Sequence, residues 1–191
     1  VVAIGTVHVH YRPFEGSLKQ FQGDKMIFRK HYQSIFIVFM AAQSYSAADA
    51  ASFWDKRIEN ALDNVSAKVY RSATCGCCKK WIEHIRQHTI VVDDNVLEQS
   101  ALYQFKREHG IAANLQSCHT AIVGSYLVEG HVPAADIMRM VREKPEIAGL
   151  SVPQMVTGSP GMEMGGRKDA FSVISFDRSG EVRIYNQYRN Y

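Results

Sequence analysis

Apolar and polar residues change rhythm several times along this chain, and each change predicts an element. Trp54, Ile58, Ala61 and Leu62 recur at helical spacing, which predicts a short amphipathic helix over 50–63. "AKVYRSA", residues 67–73, alternates instead and is rich in strand formers. A loop follows, and then Cys78, Trp81, Ile82 and Ile85 form one apolar stripe of a helix. "TIVVDD" predicts a second strand, and "NVLEQSALYQFKREHG" a helix with Leu97, Ala101, Leu102 and Phe105 inward and Gly110 as its stop. "HTAIVGSYLVEGHV" reads as a hairpin through Gly124 and Ser125, and Pro133 opens a helix to about Lys144. Pro145 begins a Gly- and Pro-rich loop reaching Lys168, and "FSVISFDRSGEVRIYNQY" closes as a second hairpin turning at Ser179 and Gly180. This order predicts an α/β, thioredoxin-like domain with a C-terminal Gly/Pro/Met-rich loop and β-hairpin.

Upstream the pattern is different. From Met26 the chain places Arg29 and Lys30 early, then an apolar core from Ile35 to Ala42, then small residues around Ser46, Ala47 and Ala48. That is the pattern of a secretory signal peptide, and its apolar core is shorter than the ~20 residues that span a bilayer. The expected organisation is an upstream non-native extension (1–25), a signal peptide (26–48), a helix and linker (49–66) and a thioredoxin-like domain (67–191) that carries the candidate chemistry. In the extension His8 and His10 share one side of a short alternating segment and could touch a metal, but the segment is set aside from the site. Export implies a mature protein free of the membrane after cleavage, in a compartment where unprotected thiols oxidise.

Charge removes one class of partner. The net charge is +3, yet five of the 22 Lys and Arg and two of the 19 acids lie in residues 1–47, which leaves the remainder formally neutral. No basic groove for nucleic acid is indicated.

The chemistry concentrates in "SATCGCCKKW", where three of the four cysteines, Cys75, Cys77 and Cys78, crowd together at a predicted helix N-terminus. The positive end of a helix dipole favours thiolate there. Cys75 and Cys78 make a C-x-x-C pair, so a thiol-disulfide oxidoreductase is one reading; Cys77 inside the pair would scramble the exchange. Cys118 opens the hairpin strand expected beside this loop, so four sulfurs converge. Structural zinc usually takes its cysteines as spaced pairs, whereas adjacent Cys77 and Cys78 more easily bridge different ions. Clustered thiolates with thioethers and imidazoles nearby are soft, and softness selects monovalent copper.

Thioethers are supplied by "VPQMVTGSPGMEMGGRK". Met162 and Met164, two apart, share one side of an extended segment, and Met155 is a weaker candidate. Met138 and Met140 fall on the helix from Pro133 and read as packing, while Met26 and Met40 belong to the signal. His119 follows Cys118 directly, and His131 stands at a strand-to-helix corner. His84 and His88 are four apart on one helix face, a spacing that can chelate, but beside Lys80 they read as a solvated face and are left out.

"TCGCCKKWIEHI", "SCHTAIV", "YLVEGHVPAADI", "GLSVPQM" and "TGSPGMEMGGRKDAFSVISFD" resemble the CopG-type copper-resistance proteins, small exported bacterial metal-binding proteins, over about Lys68 to Tyr188. The resemblance implies a thioredoxin-like fold carrying a cysteine-bridged multinuclear copper cluster. It also implies periplasmic copper handling alongside other copper proteins, which can extend to interconverting Cu(I) and Cu(II). Carried over by position, the ligands are Cys75, Cys77, Cys78 and Cys118, with His119, His131, Met162 and Met164 as further candidates. Ala73 stands where many relatives have proline, and residues 1–25 match nothing in the family. A copper oxidoreductase, a plain metal-binding protein, a thiol-disulfide oxidoreductase using Cys75 and Cys78, and a domain stapled by structural disulfides remain the alternatives; the methionine loop has a task only in the copper readings.

Overall fold

The computed structural model describes residues 52–191, which lie within the compact unit Asp49–Tyr191. The expected extension and signal peptide fall outside them. Among the described residues seven strands form one mixed sheet with three α-helices. In chain order these are β1 (Ser66–Ser72), α1 (Gly76–Gln87), β2 (Val91–Leu97), α2 (Gln99–Glu108), β3 (His119–Val123), β4 (Tyr126–Gly130), α3 (Ala134–Glu143), β5 (Gly149–Val152), β6 (Phe171–Phe176) and β7 (Val182–Tyr188).

The strands lie in the order β2-β1-β3-β4-β5-β6-β7. β1 runs parallel to β2 through the crossover helix α1, β4 runs parallel to β5 through α3, and the other neighbours are antiparallel. Both parallel pairs need a helix between them because a short turn cannot return a strand in the same direction. Alternation along β1 sends Ala67 and Val69 to one face and Tyr70 to the other. On the first face Trp81, Ile82 and Ile85 of α1 and Ile137, Met138 and Met140 of α3 pack with Ala67, Val69, Ala121, Val128, Leu150 and Val173. Each such side chain contributes about 1.5–3 kcal/mol on leaving water. On the second face Phe105 of α2 stacks on Tyr70 with ring centroids 4.2 Å apart, and Leu102 is buried.

Three expectations need correcting. The helix over 50–63 is a single 3-10 turn, Phe53–Asp55, followed by irregular chain in which Asn60 and Asn64 adopt positive φ, a conformation asparagine tolerates better than most residues and one that an α-helix excludes. The apolar spacing was nonetheless informative, since Trp54 is buried and Ile58 and Leu62 pack on the core. Second, Leu97 ends β2 instead of entering α2, and Ala101 is exposed. Third, the long loop from Pro145 contains strand β5. All four of its residues are buried, so it lacks the alternation that marks a half-exposed strand. Its first residue must be glycine, because a Cβ on Gly149 would stand 2.1 Å from the Leu127 carbonyl oxygen. No described helix is long and apolar enough to cross a membrane.

Candidate metal centre

β1 ends at Ser72, the chain turns through a Cys75 N–H to Ser72 carbonyl bond of 3.3 Å, and Cys75 becomes the N-cap of α1. Its sulfur accepts the Cys78 backbone N–H at 3.3 Å, one of the helix's orphan donors. Cys75 and Cys78 are joined as a disulfide, and Cys77 and Cys118 are free thiols. Cys77 Sγ lies 3.5 Å from Cys75 Sγ and 3.9 Å from Cys118 Sγ, so the four sulfurs fall within 4.8 Å of one another. The sequence-predicted cysteines do converge, from the start of one helix and the residue before β3.

Cys118 joins this group to a second one. Its sulfur is 3.3 Å from His119 Nδ1 and 3.2 Å from His131 Nε2, and these three also lie within 4.8 Å of one another. His131 Nδ1 donates to the Pro160 carbonyl at 2.8 Å, which leaves the Nε2 lone pair facing the sulfur. The His119 ring leans on Trp81, centroids 4.3 Å apart, and its buried Nε2 finds no hydrogen-bond partner among the described residues. Burial, together with the neighbouring His131 and Lys106, holds His119 well below the usual imidazole value, and burial lowers His131 as well. Both rings are therefore neutral, the form that ligates metal. Burial, with Cys77 beside it, pushes the Cys118 thiol up to about 12. A soft cation is the ligand such a set of sulfurs and neutral imidazoles would favour, since it would displace the thiol protons.

The thioethers are placed differently from one another. Gly161 has positive φ and lies against the first turn of α1, where a Cβ would come within 2.6 Å of Trp81 N and 3.0 Å of the Cys77 oxygen. That seats the loop on the cysteine turn, with Met162 next to it and half-buried. Met164 is 61% exposed and pairs by its backbone with Arg167. Met155 also approaches the cysteines, its Sδ 4.0 Å from Cys77 Sγ. Spacing in sequence favoured 162 and 164; the approach of Met155 depends on a tertiary clamp between Gln154 and residues 116–117.

His84 and His88 are not a solvated face. Both are buried; His84 Nε2 accepts the Ala134 N–H at 3.0 Å, an orphan donor of α3, and His88 Nε2 donates to the Trp54 carbonyl at 2.8 Å. Burial, with His88 and His131 nearby, lowers His84 to about 3. The signal was available, because Trp81 and His84 stand at i and i+3 on the buried side of α1 and His88, its C-cap, continues that side at i+7. Sequence reasoning also missed Lys106 and Glu129, a fully buried ion pair beneath the site. Glu129 further accepts the Ser117 N–H at 2.6 Å and the Thr120 hydroxyl at 2.5 Å, so it grips the chain on both sides of Cys118 and His119.

Taken together, the mixed sheet and its sulfur-rich centre define a small α/β protein built around a candidate soft-metal site. A family model, "Protein of unknown function, DUF411", matches residues 115–162, which include Cys118, His119 and His131. Two solved structures, both described as copper resistance protein CopG and designated forms 2 and 1, are each 41% identical to this chain. The first covers 65% of this chain and 98% of the other with a TM-score of 0.61, and the second covers 66% and 98% at the same TM-score. No curated protein sequence matches. At that identity and coverage, the chain belongs to the CopG-type copper-resistance family.

Proposed function

We propose that this chain is an exported, periplasmic copper-binding protein of copper resistance, holding a cysteine-bridged multinuclear cluster of Cu(I) that can also cycle through Cu(II). One observation carries the reading: four sulfurs within 4.8 Å of one another adjoin a second ligand group through Cys118. A sulfur shared between two groups is what a bridged, multinuclear site requires, and the mixture of thiolate with imidazole suits copper in either oxidation state. Cys75, Cys77, Cys78 and Cys118 are the bridging set, His119 and His131 complete it, and Met162 and Met164 are supplied by the loop over α1. That both relatives are copper resistance proteins supports the same cargo. The cysteine turn between β1 and α1, with Cys75 as N-cap, supports the thioredoxin-like reading of residues 67–191. Residues 26–48 supply the export signal and 1–25 stand outside the mature protein. All four sulfurs bind together only after a dithiol reductant exchanges with the Cys75–Cys78 disulfide, giving it two electrons and two protons and ending as a disulfide itself.

The test is anaerobic Cu(I) loading of the reduced chain, followed by desalting and metal analysis. Several coppers per chain with copper-thiolate charge-transfer absorption are expected; a content of zero overturns the proposal. The disulfide itself favours a second reading, a thiol-disulfide oxidoreductase. That reading requires insulin-reduction activity lost in Cys75→Ser and kept in Cys77→Ser.

A further inference from the structure

The sulfurs differ in exposure. Cys118 and Cys77 are both half-buried, fully buried His119 and His131 adjoin Cys118, and Met155 is 56% exposed with its Sδ 4.0 Å from Cys77 Sγ. This exposed position is built into the fold. Gln154 has φ +66°, a left-handed conformation rare for a residue with a side chain. It is held there from both ends of its peptide: its N–H donates to the Gln116 carbonyl at 3.3 Å, and its carbonyl accepts the Ser117 hydroxyl. Residues 116–117 lead directly into Cys118, so one clamp sets Cys118 and aims the next residue, Met155, over Cys77. Met164 is as exposed but is not held against a cysteine; its backbone partner is Arg167.

We propose that Met155 is the entry ligand of the site, taking Cu(I) from an exchangeable soft donor in solution and passing it to Cys77; the proposal rests on the copper-binding reading above. A thioether binds Cu(I) without first losing a proton, so it can engage the ion while the donor still holds it. The donor–copper bond breaks as the bond to Met155 Sδ forms. That bond breaks in turn as Cys77 sulfur binds and its thiol proton leaves to solvent. Copper remains monovalent throughout and no oxidant is needed. As an exposed side chain at the rim, Met155 is replaceable without disturbing the core.

The experiment mixes the reduced, metal-free full chain anaerobically with Cu(I)-bicinchoninate and follows loss of the chelate's colour by stopped flow. Met155→Leu is expected to slow uptake about tenfold, the effect of removing a modest transition-state contact, with the final copper content and charge-transfer spectrum unchanged. Ile184→Ala, an exposed apolar side chain on β7 outside the ligand set, is expected to load at the parent rate. A Met155→Leu rate within a factor of about two of the parent, too little to count as a lost contact, overturns the proposal. So does a lower final copper content in that variant, which would make Met155 a permanent ligand. A parent chain that takes up no copper from the chelate or from excess Cu(I) overturns the copper-binding reading itself, an outcome distinct from either.

Discussion

Replacing Glu129 by glutamine should be among the most damaging single-atom-scale changes available in this protein. Glu129 and Lys106 are both fully buried and paired, Lys106 also donates to the Thr120 hydroxyl at 2.8 Å, and Glu129 accepts from Ser117 N–H and Thr120. Glutamine keeps the shape and one acceptor oxygen but leaves the ammonium without a counter-charge, and removing one partner of a buried pair costs about 3–5 kcal/mol. With a urea slope of ~2 kcal/mol/M for a domain of this size, the midpoint should fall by ~2 M. Buried Trp54 and Trp81 make fluorescence a suitable probe. Lys106→Met alone leaves a buried carboxylate and should cost a similar amount. The double variant removes both charges while glutamine still accepts from Ser117, so it should be more stable than either single variant, with a coupling of at least ~2 kcal/mol. Strictly additive losses, or a single-variant loss below ~1 kcal/mol, would refute the view that the charge pair, rather than the hydrogen-bond shape, holds the Cys118–His119 corner.

Other outcomes follow from particular contacts. His84 sits at about 3 in the folded chain against 6.5 when exposed, so its contribution to stability is present above pH 6.5 and is lost as pH falls from there toward 3. Each such proton makes stability of the metal-free chain drop by about 1.4 kcal/mol per pH unit over that range. His84→Gln should flatten the slope measured by urea unfolding between pH 6 and 5 by about that amount, and an unchanged slope would contradict the assignment. Gly161→Ala places a methyl against Trp81 N and Cys77 O at a positive φ, and should cost ~1–3 kcal/mol; increased tryptic cleavage at Arg167 and Lys168 reports loop release, and unchanged cleavage argues against the seat. Asp136 accepts from Tyr188 at 2.7 Å and Asn186 at 2.9 Å, so Asp136→Ala should lower stability by ~2–4 kcal/mol and loosen β7, read by amide exchange of Ile184–Tyr188. Copper should protect loop 145–168 from proteolysis if Met162 and Met164 bind it, and equal cleavage with and without copper counts against them.

What could be read from the residues depended on how locally each feature is encoded. β1 and α1 were legible because alternation gives way to the Cys78–Trp81–Ile82–Ile85 stripe within a few residues, and all four cysteines were legible because chemistry, not geometry, marked them. β5 was hidden by its uniform burial. Lys106 and Glu129 were hidden because charged residues are ordinarily solvated, although Lys106 follows Leu102 by one turn on the inward side of α2. The approach of Met155 to Cys77 was hidden for a different reason: a spacing of two singles out Met162 and Met164, whereas a left-handed Gln154, fixed from residues 116–117, redirects the chain just before Met155. A backbone reversal imposed by a distant partner leaves no local trace.

The bond from His131 to the Pro160 carbonyl has a consequence beyond holding a loop in place. It decides on which nitrogen the ring carries its proton, and so whether the ring offers an electron pair or a hydrogen to Cys118. Were the segment around Pro160 to lift away, the imidazole could exchange one tautomer for the other, and the nitrogen facing Cys118 would turn from acceptor to donor. A backbone carbonyl twenty-nine residues away in the chain thus acts, through the His131 ring, on the electronic surroundings of Cys118 without touching its sulfur.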